Sequence, residues 1–234
     1  MTFTNIRSNY VSDEVIVAAA RLAGAKVILC DPGNLEPAIP TVHGGVDGLI
    51  VPSFAAKAHW QWRFAHSSGL REMPIHVVHP GSRMDAISPR TPLSVGPLPS
   101  GKLEDSPISV FFVGRLSHVK SPGLALAVAE RVMRSPVKHA SRVRFVFVGG
   151  GALYPALSQM AAGSEFKDRI SFEGEMGHDE TLRKVAEEAH IIIHPTVINE
   201  TFGLSNVEGL SACVPIVTFG VGGVADYLRP SDSW

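Results

Sequence analysis

The sequence predicts an α/β protein built on parallel sheets. Short continuous apolar runs of strand length, such as 108–113, alternate along the chain with segments of helical character. Runs of this kind are typical of strands buried on both faces, and a repeated strand-helix order favours parallel strands. The 234 residues are also enough for one large domain or two modest ones. We therefore expect parallel sheets covered by helices on both faces, with ligands bound beyond the carboxyl ends of the strands.

The expected elements follow from these runs and from the Gly, Pro and Ser residues that separate them. The first part of the chain is expected to contain helix 12–22, strand 26–30, strand 48–51, helix 54–66 and strand 75–78. The later part is expected to contain strand 109–113, helix 121–134, strand 144–148, helix 153–162, strand 170–172, helix 179–188, strand 190–194, helix 204–213 and strand 216–219. The Pro/Gly/Ser-rich stretch 88–105 is the predicted linker between a domain of residues 1–87 and one of residues 106–234.

The composition excludes several classes of protein. Hydrophobic residues make up 45 % and charged residues 18 %, which is typical of a globular chain. The formal net charge of −1 and the lack of a basic block argue against a nucleic-acid partner. We find no apolar run long enough to be a transmembrane segment and no signal-peptide core, which leaves peripheral membrane association open and predicts a cytoplasmic location. Cys30 and Cys213 lie in apolar contexts and are predicted to be buried thiols rather than a disulfide or metal pair.

The segment 199–208 contains two carboxylates eight positions apart, Glu200 and Glu208, with a Phe202-Gly203 step between them. In one continuous helix they would lie roughly 12 Å apart along the axis and about 80° apart around it, too far to share a small ligand. If the chain turns at Phe202-Gly203 and a helix begins near Leu204, both acids can flank a helix N-terminus. Its N–H groups suit a phosphate, and the acids suit hydroxyls. The segment thus predicts a nucleotide-sugar site.

Glu208 also has a purely structural interpretation. The run Ser205-Asn206-Val207-Glu208 fits a capping box, in which the glutamate reaches back to the backbone N–H of the capping serine. For Glu208 taken alone we favour that interpretation. A structural interpretation fits Glu200 less well, because it follows an apolar strand and Pro195 in a loop at the ligand end of the sheet. Gly222-Gly223 supplies another loop at that end.

Two cationic residues follow the strand 109–113. Arg115 offers a guanidinium fork for phosphate oxygens, and Lys120 offers a movable charge just before Ser121-Pro122. Ser121 is a good N-cap and Pro122 suits the first helical position, so Lys120 lies at a helix N-terminus, where a bound anion would relieve its conflict with the helix dipole. A solvated pair of surface cations is the equally weighted alternative.

The remaining motifs are weaker. Gly149-Gly150-Gly151 follows the strand 144–148 and suits either phosphate binding or a tight turn, of which we favour the turn. It matches neither a dinucleotide fingerprint nor a Walker A loop. The histidines lack the partners and spacing of a metal site, so no metal is expected. No Gly-x-Ser-x-Gly nucleophile elbow is present.

Taken together, these motifs resemble one enzyme family. The matching segments are Gly114-Arg115-Leu116 with Lys120, Val148 to Gly151, Phe172-Glu173-Gly174, Pro195 to Glu208, Gly209 to Val217 and Gly222-Gly223. Their order and spacing, over about residues 75–228, resemble the retaining GT-B glycosyltransferases related to sucrose-phosphate and phosphatidylinositol mannosyl transferases. This is the glycosyltransferase family 4-like group, the glycosyl transferases group 1.

The resemblance implies two Rossmann-like domains with the active site between them, no metal or other cofactor, and a nucleotide-sugar bound by the C-terminal domain. The implied donor-binding residues are Gly114, Arg115, Lys120, Gly149, Glu200, Thr201, Phe202, Gly203, Leu204 and Glu208. Arg115 and Lys120 would hold the diphosphate and Glu200 would contact the transferred sugar, which makes these three the implied catalytic residues. The backbone of 202–204 would meet the diphosphate, and Glu208 would accept hydrogen bonds from the ribose hydroxyls.

Physical chemistry supports those roles, because a metal-free enzyme must stabilise the departing nucleoside diphosphate with fixed cations and N–H dipoles. One cation about 4 Å from a phosphate oxygen contributes on the order of 4 kcal/mol at an effective dielectric of 20.

The chain departs from the family pattern at both ends. The Gly-rich loop that normally opens the N-terminal domain has no counterpart, and residues 1–87 match only the latter part of that domain. The chain stops at Trp234, before the helices that normally cross back, and the acid after Gly222-Gly223 is present as Asp226. We therefore expect a GT-B-like chain truncated at both ends, with an incomplete N-terminal domain.

These observations predict a glycosyltransferase that moves a hexose from a nucleotide-diphosphate sugar to an acceptor hydroxyl, with retention and without a metal. The acceptor is not identified. A non-catalytic or degenerate fragment that only binds a nucleotide-sugar is the alternative, favoured by the missing phosphate loop. A GT-B-type sugar epimerase is weaker, since its usual acid set is not evident.

Overall fold

The structure, a computed structural model, describes residues 17–30, 46–66, 72–81, 106–197 and 200–228. The chain forms two compact units. The first consists of Met1–Pro80, Asn199–Phe202 and Gly220–Trp234, and the second of Gly81–Ile198 and Gly203–Phe219. Two short late segments thus belong to the first unit. The predicted linker 88–105 lies outside the described residues, so the predicted domain boundaries stay a prediction.

The described part of the first unit is a small parallel sheet covered by one helix. Its strands are β1 (Ile28–Cys30), β2 (Gly48–Val51) and β3 (Ile75–Val77), paired in the order β1-β2-β3. Helix α1 (Phe54–His66) follows β2 and buries Ala56 and Trp60 against Leu49 and Val51 of that strand. Residues 17–22 are also helical, while 12–16 of the predicted first helix are outside the described ranges.

The second unit is a five-stranded parallel sheet with helices on both faces. Its strands are β4 (Ile108–Val113), β5 (Val143–Val148), β6 (Ile170–Gly174), β7 (Ile191–His194) and β8 (Ile216–Thr218). Its helices are α2 (Pro122–Met133), α3 (Tyr154–Ala162), α4 (His178–Glu188) and α5 (Leu204–Ser211). The strand order is β6-β5-β4-β7-β8, and every pairing is parallel. The predicted parallel sheet is confirmed.

The core of the second unit is double-sided because successive strand residues point to opposite faces. Phe112 and Phe147 belong to a cluster with α2 and α3, whereas their neighbours Phe111 and Val146 belong to a cluster with α4. Both phenylalanines of β4 are fully buried. Strands buried on two faces cannot alternate apolar and polar residues, which explains the continuous apolar runs of the sequence. In the described part of the chain, no helix combines the length and the apolar character needed to cross a bilayer.

Three local predictions were wrong. The strand predicted as buried at 26–30 is the shorter β1, which lies at the edge of the described sheet and exposes alternate residues, Cys30 included. Cys213 is exposed as well, because it follows α5 in a left-handed conformation with φ 57°. Ser121 does precede α2, but it is left-handed and its hydroxyl makes no capping hydrogen bond within the described residues. Both cysteines are free thiols, as predicted.

Candidate functional site

The strand order of the second unit defines where a ligand can bind. The chain runs outward from β4 through β5 to β6, then returns to the other side of β4 with β7 and β8. The connections after β4 and β7 therefore leave the sheet in opposite directions, and a crevice opens outside the carboxyl ends of these two strands. Arg115 follows β4, and the helix that carries Glu208 follows β7.

Arg115 is carried on a turn whose backbone is held on both sides. The N–H of Gly114 donates to the carbonyl of Val148 at 2.9 Å, and the N–H of Leu116 donates to the carbonyl of Gly150 at 2.8 Å. Leu116 is completely buried, whereas the Arg115 side chain is exposed. The fold thus fixes the backbone of this cation and leaves its side chain at the surface; its contact with a phosphate stays a prediction.

Gly149 makes this close approach of the two strand ends possible. Its φ is +136°, and a Cβ there would collide with the backbone carbonyl of Gly114. The glycine run after β5 therefore has the structural role that we favoured from the sequence. A direct contact of Gly149 with a donor stays a prediction.

Lys120 ends a 3-10 turn, His118–Lys120, directly before the cap of α2. Its own N–H donates to the Ser117 carbonyl at 3.0 Å, and its side chain is partly buried. Lys120 is thus placed in the β4–α2 connection, as predicted, five residues beyond Arg115.

Helix α5 begins at Leu204, as predicted, with Gly203 as its N-cap in a left-handed conformation. The carbonyl of Gly203 accepts from the N–H groups of Asn206 at 3.0 Å and Val207 at 3.3 Å. Among the described residues no side chain caps this end of the helix. The first N–H groups of α5 and the positive end of its dipole are therefore directed to the carboxyl edge of the sheet, where they suit an anion.

Glu208 does not form the capping box. Because α5 starts at Leu204, Ser205 is a helical residue rather than the N-cap, and Glu208 lies a full turn inside the helix. Its side chain is 15 % exposed, with Oε1 3.6 Å from Nε2 of His178, the first residue of α4. Burial raises the pKa of Glu208, and the nearby His178 opposes that rise. The fold keeps this carboxylate partly desolvated without using it as a cap.

The sequence did not predict that His194 and Asn206 form a buried polar pair at the end of β7. His194 ends β7 and is 2 % exposed, and its Nδ1 lies 2.8 Å from Oδ1 of Asn206 in the first turn of α5. Asn206 is itself 1 % exposed. This bond ties the end of β7 to the start of α5 and so orients the helix N-terminus. Sequence reasoning considered His194 only as a metal ligand, although its place at a strand end was a usable signal.

The structure assigns Glu200, Thr201 and Phe202 to the first unit, and the other predicted site residues to the second. The Glu200 carbonyl accepts from the N–H of Gly223 at 2.6 Å. Gly222 and Gly223 lie so close to the backbone of Glu200 and Thr201 that neither position has room for a Cβ. The Gly222-Gly223 segment, read from the sequence as a loop, is a 3-10 turn, Gly222–Asp226, packed on the Glu200 backbone.

No group of three or more metal-ligating side chains occurs within the described ranges. Independence from metals stays a prediction.

Comparison with known proteins identifies the family. The family model for glycosyl transferases group 1 matches residues 99–233, and the chain belongs to that family. The D-inositol 3-phosphate glycosyltransferase of Mycobacteroides abscessus is 32 % identical over 155 residues, which is 64 % of this chain and 32 % of that protein. The enzyme of the same name from Streptomyces scabiei is 27 % identical over 160 residues, or 66 % of this chain and 35 % of that protein. The chain spans about a third of the length of these curated relatives.

Solved structures show the same GT-B fold. The pneumococcal O-GlcNAc transferase GtfA, in complex with UDP and GlcNAc, has a TM-score of 0.70 at 18 % identity, covering 95 % of this chain and 43 % of that one. Anabaena HepE in complex with UDP-glucose has a TM-score of 0.68 at 17 % identity, covering 92 % of this chain and 59 % of that one. At such low identity, these similarities establish the fold alone.

Proposed function

We propose that this chain provides the donor-binding part of a retaining glycosyltransferase, which moves a hexose from a nucleotide-diphosphate sugar to an acceptor hydroxyl without a metal. Membership of the glycosyl transferases group 1 family supports glycosyl transfer as the class of reaction. Retention, the hexose and independence from metals are the finer parts of the proposal, and they rest on the motif resemblance.

The state of Glu208 is the observation that carries the proposal. An ionised glutamate whose side chain is 15 % exposed, and whose pKa is raised by burial, is unfavourable in a fold that does not use it as a cap. Two ribose hydroxyls would donate hydrogen bonds to it and offset the lost hydration. Local structure supplies only His178, 3.6 Å away, and burial still raises the pKa of Glu208, so the hydroxyls of a nucleotide's ribose would supply the hydrogen bonds that this carboxylate lacks.

The diphosphate would be stabilised by charges of two kinds. Arg115 and Lys120 both lie in the connection after β4, and the N-terminus of α5 follows β7, so cations and helix N–H groups border the same crevice of the second unit. The bond between the anomeric carbon and the diphosphate oxygen breaks as negative charge develops on the leaving group. Fixed cations and dipoles stabilise that charge more than they stabilise the ground state.

The transferred sugar would be recognised by Glu200 as a hydrogen-bond acceptor. The acceptor oxygen would attack the anomeric carbon on the face that the diphosphate leaves, and its proton would pass to the departing phosphate oxygen. No covalent intermediate is required, and Glu200 is not assigned as a nucleophile.

The test is a screen of UDP-, GDP- and ADP-sugars by ligand-observed NMR, followed by an assay of nucleotide release with and without candidate acceptor alcohols. We expect one nucleotide family to bind, and an acceptor to accelerate its release in the presence of EDTA with the α or β configuration of the donor retained. Binding without accelerated release would favour the non-catalytic alternative. A chain that binds none of the three families would refute the proposal.

A further inference from the structure

We propose that His79, acting through Asp226, fixes the loop of Glu200, Thr201 and Phe202 and is therefore a positioning residue for recognition of the donor sugar. His79 lies two residues beyond β3, and all of these residues belong to the first unit. The inference rests on the proposed function in one respect, namely that Glu200 accepts a hydrogen bond from the transferred sugar.

Asp226 is a buried acid that joins two elements of the first unit. Its side chain is 7 % exposed, and its Oδ2 accepts from the N–H of Phe54, the first residue of α1, at 2.7 Å. The same oxygen lies 3.2 Å from Nε2 of His79. The Phe54 N–H and the positive end of the α1 dipole offset the desolvation of this carboxylate. Ser53 caps the same helix end through Ala56, at 3.0 Å.

Asp226 belongs to a turn that is hydrogen-bonded to the Glu200 backbone. It is the last residue of the Gly222–Asp226 turn, in which the buried N–H of Gly223 donates to the Glu200 carbonyl. Because Gly222 and Gly223 lie in direct backbone contact with Glu200 and Thr201, a shift of the turn must shift the loop.

A second connection runs through aromatic rings. The imidazole of His79 lies 5.3 Å from the ring of Phe202, and the ring of Tyr227 lies 5.3 Å from Phe202 as well. His79 also meets Phe54 edge-on at 6.0 Å. Phe202 is 6 % exposed. His79 thus holds the loop at two points: at Glu200 through Asp226 and the glycine turn, and at Phe202 by direct ring packing.

Three variants separate these connections. His79→Phe keeps an aromatic ring against Phe202 and removes the Nε2 atom that lies beside Asp226 Oδ2, whereas His79→Ala removes both contacts. Asp226→Asn keeps an acceptor for the Phe54 N–H and removes the negative charge. His76→Ala is the matched control, since His76 is an exposed histidine on β3, three residues earlier in the chain.

Hydrogen exchange at the Gly223 amide tests the positioning without any ligand. We expect exchange in His79→Ala to be roughly 3- to 10-fold faster than in the wild type, the effect of losing one close polar contact together with the ring packing on Phe202. The exchange rate in His79→Phe should lie between those of His79→Ala and the wild type, and the rate in His76→Ala should match the wild type. Unchanged exchange at Gly223 in His79→Ala would overturn the inference, and so would equal changes in His79→Ala and His76→Ala.

The effect on sugar recognition is tested by comparing the affinity for a nucleotide-sugar with the affinity for the matching nucleoside diphosphate. The probes are UDP-glucose against UDP, GDP-mannose against GDP and ADP-glucose against ADP. For the pair that binds, the preference for the sugar form should fall roughly 3- to 10-fold in His79→Ala, while affinity for the nucleoside diphosphate stays within about twofold. A purely structural role would lower the melting temperature and leave that preference unchanged, which would refute the inference.

The two proposals fail in different ways. If the wild type binds no member of any pair, the proposed function fails, and the role of His79 in sugar recognition fails with it. The exchange rate of Gly223 still decides whether His79 fixes the loop.

Discussion

Replacing Glu208 by glutamine is the sharpest test of the donor site. The substitution keeps the shape and the hydrogen-bonding ability of the side chain and removes its charge. In the fold the Glu208 side chain is 15 % exposed and burial raises its pKa despite the nearby His178, so the charge itself destabilises the folded state. We therefore expect Glu208→Gln to leave the free energy of unfolding at pH 7 unchanged within about 0.5 kcal/mol, or to increase it.

Ligand binding should change in the opposite direction. A hydrogen bond to a charged group contributes about 1.5–3 kcal/mol, so loss of the charge should weaken ribonucleoside diphosphate binding roughly 10- to 100-fold. Isothermal calorimetry measures the affinity, and thermal or urea unfolding measures the stability. Glu187→Gln is the matched control, because Glu187 is an exposed glutamate on α4.

A 2′-deoxynucleotide identifies the ribose as the partner. If Glu208 accepts from the ribose hydroxyls, the wild type should bind the 2′-deoxy form less tightly than the ribose form, and Glu208→Gln should show a much smaller difference. A large loss of stability with unchanged affinity would refute the reasoning, since it would mean that the carboxylate supports the helix rather than a ligand.

The pH dependence of stability follows from the same pKa. The folded state holds the Glu208 proton more tightly than the unfolded state does, so the destabilisation is absent below the ordinary glutamate pKa of about 4.3 and complete above the raised folded-state pKa. The stability of Glu208→Gln relative to the wild type should therefore increase as the pH rises through that interval and then level off. Paired urea titrations between pH 4 and 8 measure it, and a difference that shrinks over the same range would contradict this sign.

Three further predictions concern other parts of the structure. Arg115→Ala and Lys120→Ala should each weaken nucleoside diphosphate binding by several fold to roughly a hundredfold, with little change in melting temperature, because one phosphate contact is worth up to about 3 kcal/mol. Gly149→Ala should destabilise the fold by about 2 kcal/mol or more, since φ is +136° and the added Cβ meets the Gly114 carbonyl. Both thiols, at Cys30 and Cys213, should react with a thiol reagent such as DTNB in the native state, because both are exposed.

Each of these has a control. Arg131→Ala removes an exposed cation from α2 and should not affect nucleotide affinity; equal effects of all three cation variants would mean that only net charge matters. Gly123→Ala has room for a Cβ and should be neutral or slightly stabilising in α2, so a similar loss at Gly149 and Gly123 would refute the steric argument. Thiols that react only after denaturation would contradict the exposure of both cysteines.

Local patterns were enough to predict most elements of this fold. Helix 54–66 and strand 48–51 were predicted to the residue, and α5 begins at the predicted Leu204. These signals are local because a buried parallel strand needs a continuous apolar run, and because glycine and proline mark the ends of such runs. The positions of Arg115 and Lys120 after β4 followed from the same pattern.

The environment of single side chains did not follow from the pattern. The capping box at Ser205 fitted every local rule, yet the N-cap is Gly203, two residues earlier, which excludes it. The burial of the cysteines was mispredicted, because an apolar neighbourhood in the sequence does not reveal an edge strand or a left-handed residue. The approach of Asp226 to Phe54 joins residues 172 positions apart, a distance at which no sequence window contains both.

By itself, the sequence determined the α/β class, the family and the candidate cations and acids, because hydrophobic periodicity and motif spacing are properties of neighbouring residues. Tertiary structure alone decided that Glu208 is partly desolvated, that His194 contacts Asn206, and that His79 lies beside Asp226. Desolvation and long-range hydrogen bonds exist only once distant segments pack together, so they are set by the fold as a whole.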